Sequence, residues 1–114
     1  MLSSTLRRPS LALSVRPDRS RVVVTVGGEI DVATIDDLDA AVRELRGVSW
    51  MEIVLDLHRV EVIGSTGLAW LVRTSRAARA EGWTMVLVDG SPAVTRLLAL
   101  TGVPRDLFDW TGSV

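Results

Sequence analysis

The first patterned stretch of the chain has an apolar residue at every second position. Leu11, Leu13 and Val15 occupy alternate positions, which predicts a strand with one buried face. Turn-forming residues fill 17–20, and a Val-rich strand begins directly after them at Arg21. Because the connection is so short, the two strands are predicted to form an antiparallel hairpin.

Farther along the chain, apolar residues recur at helical spacing in three segments. The patterns predict helices over 33–45, 65–80 and 91–101, strands over 51–57 and 83–88, and a short strand or last helical turn over 106–110. Alternating strands and helices favour parallel pairing with right-handed crossovers. We therefore predict an α/β fold, with a mixed sheet of about four to five strands, an N-terminal antiparallel hairpin and about three to four helices.

Length and composition limit the domain organisation and the kinds of partner. The 114 residues suit one domain, which we place at 10–114 after a flexible N-terminus at 1–9. The net charge of −1 argues against nucleic acid as a partner, and no apolar run approaches the roughly 20 residues of a membrane span. The sequence has no Cys, and its first residues lack the apolar core of a signal peptide. We expect a cytoplasmic protein.

The candidate chemistry lies where the strand over 51–57 gives way to a helix. Ser65 and Thr66 stand at the first turn of that helix, where backbone N–H groups are free and the helix dipole is positive. A phosphate on a hydroxyl there is well tolerated. The alternative is that the two hydroxyls only cap the helix.

Catalytic and cofactor sites are not indicated. His58 is the single histidine, and a hydrolase that uses Ser65 with His58 is a remote alternative, because one short loop does not easily give base and nucleophile the required geometry. There is no phosphate-binding glycine motif either. We therefore expect no enzymatic activity, no metal and no cofactor.

Several segments together resemble one known family, the STAS domains. The segment 28–31 resembles the family's G-E-[LI]-D motif, 53–57 its central strand, and 63–68 the D-S-[ST]-G-L motif that follows that strand. The stretches 91–94 and 98–102 resemble the family's final helix. The resemblance spans about 11–110, and these motifs occur in the family's order, which makes it specific although each motif alone is weak.

The members that this chain resembles are bacterial anti-sigma factor antagonists. The resemblance implies a protein that binds an anti-sigma factor, often also a serine kinase, and so releases a sigma factor. In the family the kinase phosphorylates the Ser of the motif, which matches Ser65 here, and a phosphatase reverses the reaction; Thr66 matches the second hydroxyl. We accordingly predict partner-binding residues at Asp31, Gly64, Ser65, Thr66, Gly67, Leu68 and Trp70.

Two of these positions rest on further observations. Gly64 stands where the family has Asp, so the sequence predicts slow or absent phosphorylation unless Asp31 or Asp56 supplies the carboxylate. Trp70 lies, by helix angle, opposite the apolar face, which makes it an exposed interface anchor unless it packs under a loop or against a neighbouring helix.

The main alternative function is also a binding role. Some small STAS proteins that resemble this chain are subunits of a membrane transport complex and bind a transporter ATPase. The missing Asp at position 64 leaves this alternative open.

Overall fold

The structure is a computed structural model that describes residues 10–112, in which strands and helices alternate after an N-terminal hairpin. The elements are, in chain order, β1 (Leu11–Asp18), β2 (Arg21–Ile30), α1 (Ile35–Gly47), β3 (Glu52–Ile63), α2 (Ser65–Glu81), β4 (Thr84–Val88), α3 (Pro92–Thr101), a 3-10 turn (Arg105–Leu107) and β5 (Asp109–Thr111). The final segment thus contains both a helical turn and a strand. The flexible N-terminus predicted for 1–9 lies outside the described residues.

The five strands form one mixed sheet in the order β1-β2-β3-β4-β5. β1 pairs with β2 in antiparallel fashion, and the other neighbours are parallel. The predicted fold class, a mixed sheet with an N-terminal hairpin and helical crossovers, is confirmed. Since β2 and β3 are parallel, the residues that follow them come to the same end of the sheet.

The main hydrophobic core lies between one face of the sheet and the helices. Its fully buried residues include Val24, Leu55 and Leu87 from neighbouring strands, together with Leu38 of α1 and Leu71 of α2. Helix propensity alone rarely holds helices of this length, so the burial of these apolar stripes is what stabilises them. The opposite face of the sheet carries a smaller buried cluster, which consists of Val23, Val54 and Val88.

β3 is much longer than the sequence pattern indicates. β4 stops opposite Asp56, whereas β3 continues alongside β2 until Ile63 pairs with Ile30. Polar residues in this extension interrupt the apolar run, and for that reason the predicted strand ended at residue 57. The first turn of α3 replaces β4 beside the extension, where the Ser91 hydroxyl donates a hydrogen bond of 3.1 Å to the Val60 carbonyl oxygen. The extension carries the start of α2 beyond the end of β4.

The helix ends follow local sequence signals. Gly82 and Gly102 end α2 and α3 in the left-handed conformation, with φ of 81° and 71°, which favours glycine. Ser91 caps α3 by accepting a hydrogen bond from the Val94 N–H, with proline at the first helical position. No helix within 10–112 is both long and apolar enough to cross a membrane.

Candidate functional site

Helix α2 begins where the extended β3 meets the end of β2. The Gly64 N–H donates a hydrogen bond of 3.1 Å to the Ile30 carbonyl oxygen, and the Gly64 carbonyl oxygen accepts the first helical bond from the Leu68 N–H. Gly64 is the N-cap residue and has φ of −98° and ψ of −178°, extended backbone that any residue adopts. The chain therefore turns from strand to helix at one residue, and Ser65 is the first helical residue.

The Ser65 and Thr66 side chains are exposed, and neither caps the helix. Within the described chain neither hydroxyl makes a hydrogen bond, and no side chain caps the N-terminus of α2. The first turn of α2 contains no acidic residue. The capping alternative is therefore wrong. The two hydroxyls, which have no hydrogen-bond partner in the described chain, lie where free N–H groups and the helix dipole stabilise added negative charge.

Gly67 and Leu68 are buried beneath these hydroxyls. Leu68 is part of the main core. A Cβ added at Gly67 would lie 2.8 Å from both Ile30 Cγ2 and Ile63 Cγ1, so only glycine lets α2 approach the sheet this closely. These two residues face the interior and hold the helix in place, so a role for them in partner contact stays a prediction.

Asp31 stands beside the helix start because it directly follows Ile30. Its Oδ1 accepts a hydrogen bond of 2.9 Å from the Ala33 N–H, and its carbonyl oxygen accepts from the Thr34 and Ile35 N–H groups. Within the described residues, Asp31 Oδ2 makes no hydrogen bond. Of the two carboxylates proposed to replace the motif Asp, Asp31 is the one at this end of the sheet.

Asp56 does not belong to the site, contrary to the expectation that it lies near this strand end. β3 continues seven residues past it to Ile63, which places it roughly 20 Å or more from Ser65 at about 3.3 Å per residue. Its carboxylate is nearly buried and binds His58, accepting from its backbone N–H at 3.1 Å and contacting the imidazole Nδ1. His58 lies five residues before Ile63, roughly 17 Å from the strand end at about 3.3 Å per residue, so the hydrolase alternative lacks its histidine near Ser65.

Trp70 is buried rather than exposed. Only 2% of it is accessible, and its indole N–H donates a hydrogen bond of 2.9 Å to Asp39 Oδ1 on α1. This hydrogen bond, with help from Arg43, lowers the pKa of Asp39 below its ordinary value. The prediction of an interface anchor at Trp70 is wrong, because α1 packs against the side of α2 that helix angle left open.

Sequence reasoning missed the residue that shapes the loop between β2 and α1. The buried Thr34 hydroxyl donates to the Glu29 carbonyl oxygen at 2.7 Å and accepts from the Asp31 N–H at 3.0 Å. Its side chain does not cap α1. The spacing of Asp and Thr three residues apart was the available signal.

The arrangement suits a reversible modification or a contact surface. Four of the predicted partner-binding residues are accessible to a partner: Ser65, Thr66, Asp31 and the partly exposed Gly64. No group of three or more His, Asp or Glu side chains in 10–112 is arranged to hold a metal ion. What the site offers is two hydroxyls at a helix start, one carboxylate, and a surface made rigid by the sheet beneath it.

Comparison with known proteins gives a consistent result. The sequence profile of a family described as "Mlab, STAS domain" matches residues 13–109. The anti-sigma-B factor antagonist of Staphylococcus aureus (strain NCTC 8325 / PS 47) is 32% identical over 84 residues, which cover 74% of this chain and 77% of that protein.

Solved structures agree with the sequence comparisons. The crystal structure of an anti-sigma factor antagonist from Mycobacterium paratuberculosis has a TM-score of 0.75 and 30% identity, and the match covers 92% of this chain and 88% of that one. The anti-sigma factor antagonist SpoIIAA in its unphosphorylated form has a TM-score of 0.69 at 19% identity, with 88% of each chain covered. At that identity the second likeness concerns the fold alone.

Proposed function

The chain belongs to the STAS-domain anti-sigma factor antagonist family, and on this premise we propose that it binds an anti-sigma factor through the start of α2 and so releases a sigma factor. The observation that carries the proposal is the pair of exposed hydroxyls, Ser65 and Thr66, which make no hydrogen bond within the described chain. Both side chains are exposed, and neither caps α2. Their position matches the family's D-S-[ST]-G-L motif.

We further propose that phosphorylation of Ser65 switches this binding. Unmodified, the helix start presents small neutral groups against which a protein surface can pack. A phosphate adds about −1.5 to −2 charges, which the dipole of α2 stabilises in the free protein. Burying that charge against a partner costs desolvation energy and creates repulsion with any carboxylate opposite, so the complex is weakened. The switch requires no conformational change.

The proposed role is cytoplasmic and not enzymatic. The kinase is the anti-sigma factor itself where that protein carries kinase activity, and a phosphatase restores the hydroxyl. Asp31 is the contact residue beside the switch, since it shares the accessible surface at the end of β2.

Binding of the purified anti-sigma factors of the source organism to Ser65 variants tests the proposal. Titration calorimetry should show Ser65→Glu weakening the complex about tenfold or more, and Ser65→Ala leaving the affinity within about threefold of wild type. Ser20→Glu is the matched control, because Ser20 is exposed in the hairpin turn at the opposite end of the sheet. Equal affinities for wild type, Ser65→Glu and Ser65→Ala would rule out an electrostatic switch.

Co-purification from native cells separates this function from the alternative. An anti-sigma factor retained by tagged wild-type protein supports the antagonist role. Retention of a transporter ATPase in its place would favour a subunit of a membrane transport complex.

A further inference from the structure

The loop between β2 and α1 exposes a large apolar side chain next to the hydroxyl site. Val32 is 78% exposed, the highest value among the exposed large hydrophobic residues of the described chain. Val62, near the end of β3, is 49% exposed. Each valine lies two residues along the chain from the hydrogen bond that joins Gly64 to Ile30, so both lie at the end of the sheet where α2 begins.

The exposure of Val32 is fixed by a rigid loop. The residues on either side of it are bonded to each other, because Asp31 Oδ1 accepts from the Ala33 N–H at 2.9 Å. The buried Thr34 hydroxyl ties the loop to the end of β2 through the Glu29 carbonyl oxygen. The loop is thus held by side-chain hydrogen bonds on both sides of Val32.

Val32 contributes little to the stability of the folded chain. A side chain that stays in water on folding contributes almost nothing to the hydrophobic stabilisation of the domain. Single exposed apolar residues are common, but this one stands on a rigid loop beside an accessible binding site. An apolar group that is already held in place loses little conformational entropy when a partner covers it.

We propose that Val32, with Val62 at the same end of the sheet, is the apolar anchor of the interface with the anti-sigma factor. The proposal rests on the function given above and adds the chemistry of the contact. The partner has an apolar depression that accommodates Val32, and phosphorylation of Ser65 at the same end of the sheet weakens the contact. The anchor provides affinity and Ser65 provides control, so the two are separable by mutation.

The opposite end of the sheet supplies a matched control. Val48 follows α1, is 68% exposed, and lies at the end of the sheet where β3 begins. Replacing either valine with Asp adds the same charge to a comparably exposed site. A difference between the two variants therefore reports location rather than a general effect of charge.

Titration calorimetry against the anti-sigma factor that binds wild type tests the anchor. Val32→Asp should weaken binding about tenfold or more, the isosteric Val62→Thr about threefold, and Val48→Asp less than about twofold. Urea denaturation of each variant should match wild type, since the substituted side chains are exposed.

The outcomes distinguish the inference from the function on which it rests. Unchanged affinity of Val32→Asp for a partner that wild type binds overturns the anchor and leaves the antagonist role intact. Failure of wild type to bind any anti-sigma factor overturns both. A third outcome is that wild type self-associates in sedimentation experiments and that Val32→Asp abolishes the self-association without changing partner binding. This result shows that a second copy occupies the surface, and it overturns the anchor.

Discussion

Gly64 and Ile30 are joined by a backbone hydrogen bond of 3.1 Å, in which the Gly64 N–H donates to the Ile30 carbonyl oxygen. The bond brings the first residue of α2 and the first residue of the β2–α1 loop to the same point on the surface. Ser65 and Asp31 are therefore neighbours in space although 34 positions apart in the chain. The site is assembled by the parallel pairing of β2 and β3.

Gly64→Asp should accelerate phosphorylation of Ser65 by the kinase that modifies this protein. Gly64 has ordinary extended backbone, and nothing lies within 4 Å of an added Cβ, so the side chain fits without strain. A carboxylate next to the hydroxyl can orient it or help to hold the kinase's metal ion. A phosphorylation time course measures the rate. Rapid, complete phosphorylation of wild type, unimproved by the substitution, would show that Gly64 is a neutral departure.

Asp31→Asn should slow whatever phosphorylation wild-type protein undergoes. Asp31 is the carboxylate at this end of the sheet, and Asn keeps the Oδ1 that accepts from the Ala33 N–H. The same time course serves, with Asp37→Asn as a control on the exposed first turn of α1. Equal rates for wild type and Asp31→Asn would remove Asp31 from the phosphorylation step.

Gly67→Ala should lower the free energy of unfolding by about 1–3 kcal/mol, the usual cost of overpacking a core. The added methyl group meets Ile30 and Ile63 at 2.8 Å, and the start of α2 must move away from the sheet. Urea denaturation measures the change, and Gly64→Ala is the control because its Cβ meets nothing within 4 Å. Equal stability of the two variants would show that α2 moves without cost.

Trp70→Phe should raise the pKa of Asp39 toward its ordinary value of 3.8, because the indole donor is the main cause of the lowering. A carboxyl with a lowered folded-state pKa adds stability above its unfolded pKa, and that stability is lost as the pH falls through the folded value. Loss of this hydrogen bond should lower the free energy of unfolding of the variant by about 1 kcal/mol near neutral pH, and by less in acid. Carbon-13 NMR titration of Asp39 checks the shift; an unchanged pKa would contradict the assignment.

Ser75→Ala should raise the free energy of unfolding by about 1 kcal/mol. The Ser75 hydroxyl is buried in α2, and within residues 10–112 it has no hydrogen-bond partner, so its desolvation is uncompensated. Alanine also has the higher helix propensity. Ser91→Ala is the contrast, because that hydroxyl both accepts and donates, and its loss should cost about 1–2 kcal/mol in thermal or urea denaturation. A destabilised Ser75→Ala variant would show that the hydroxyl is satisfied in solution.

The sequence by itself determined the order of the elements and the type of all but the last. Alternation over Leu11–Val15, helical spacing and the end signals at Gly82, Ser91 and Gly102 depend on residues close together in the chain. Such patterns record which face of an element is apolar, and that is sufficient for a hairpin followed by strand–helix repeats. The same information placed Ser65 at a helix start.

The tertiary structure decided what surrounds that start. Burial of Trp70 depends on Asp39, 31 residues away on α1, and no periodicity within α2 reveals that neighbour. The extension of β3 to Ile63 depends on pairing with β2. This pairing keeps a polar segment in a strand although the sequence pattern of that segment does not predict one. Asp56 was thereby removed from the site and Asp31 was brought to it. The physical reason is that backbone pairing and packing between distant segments, rather than local hydrophobicity, fix where a strand ends and which side of a helix is covered.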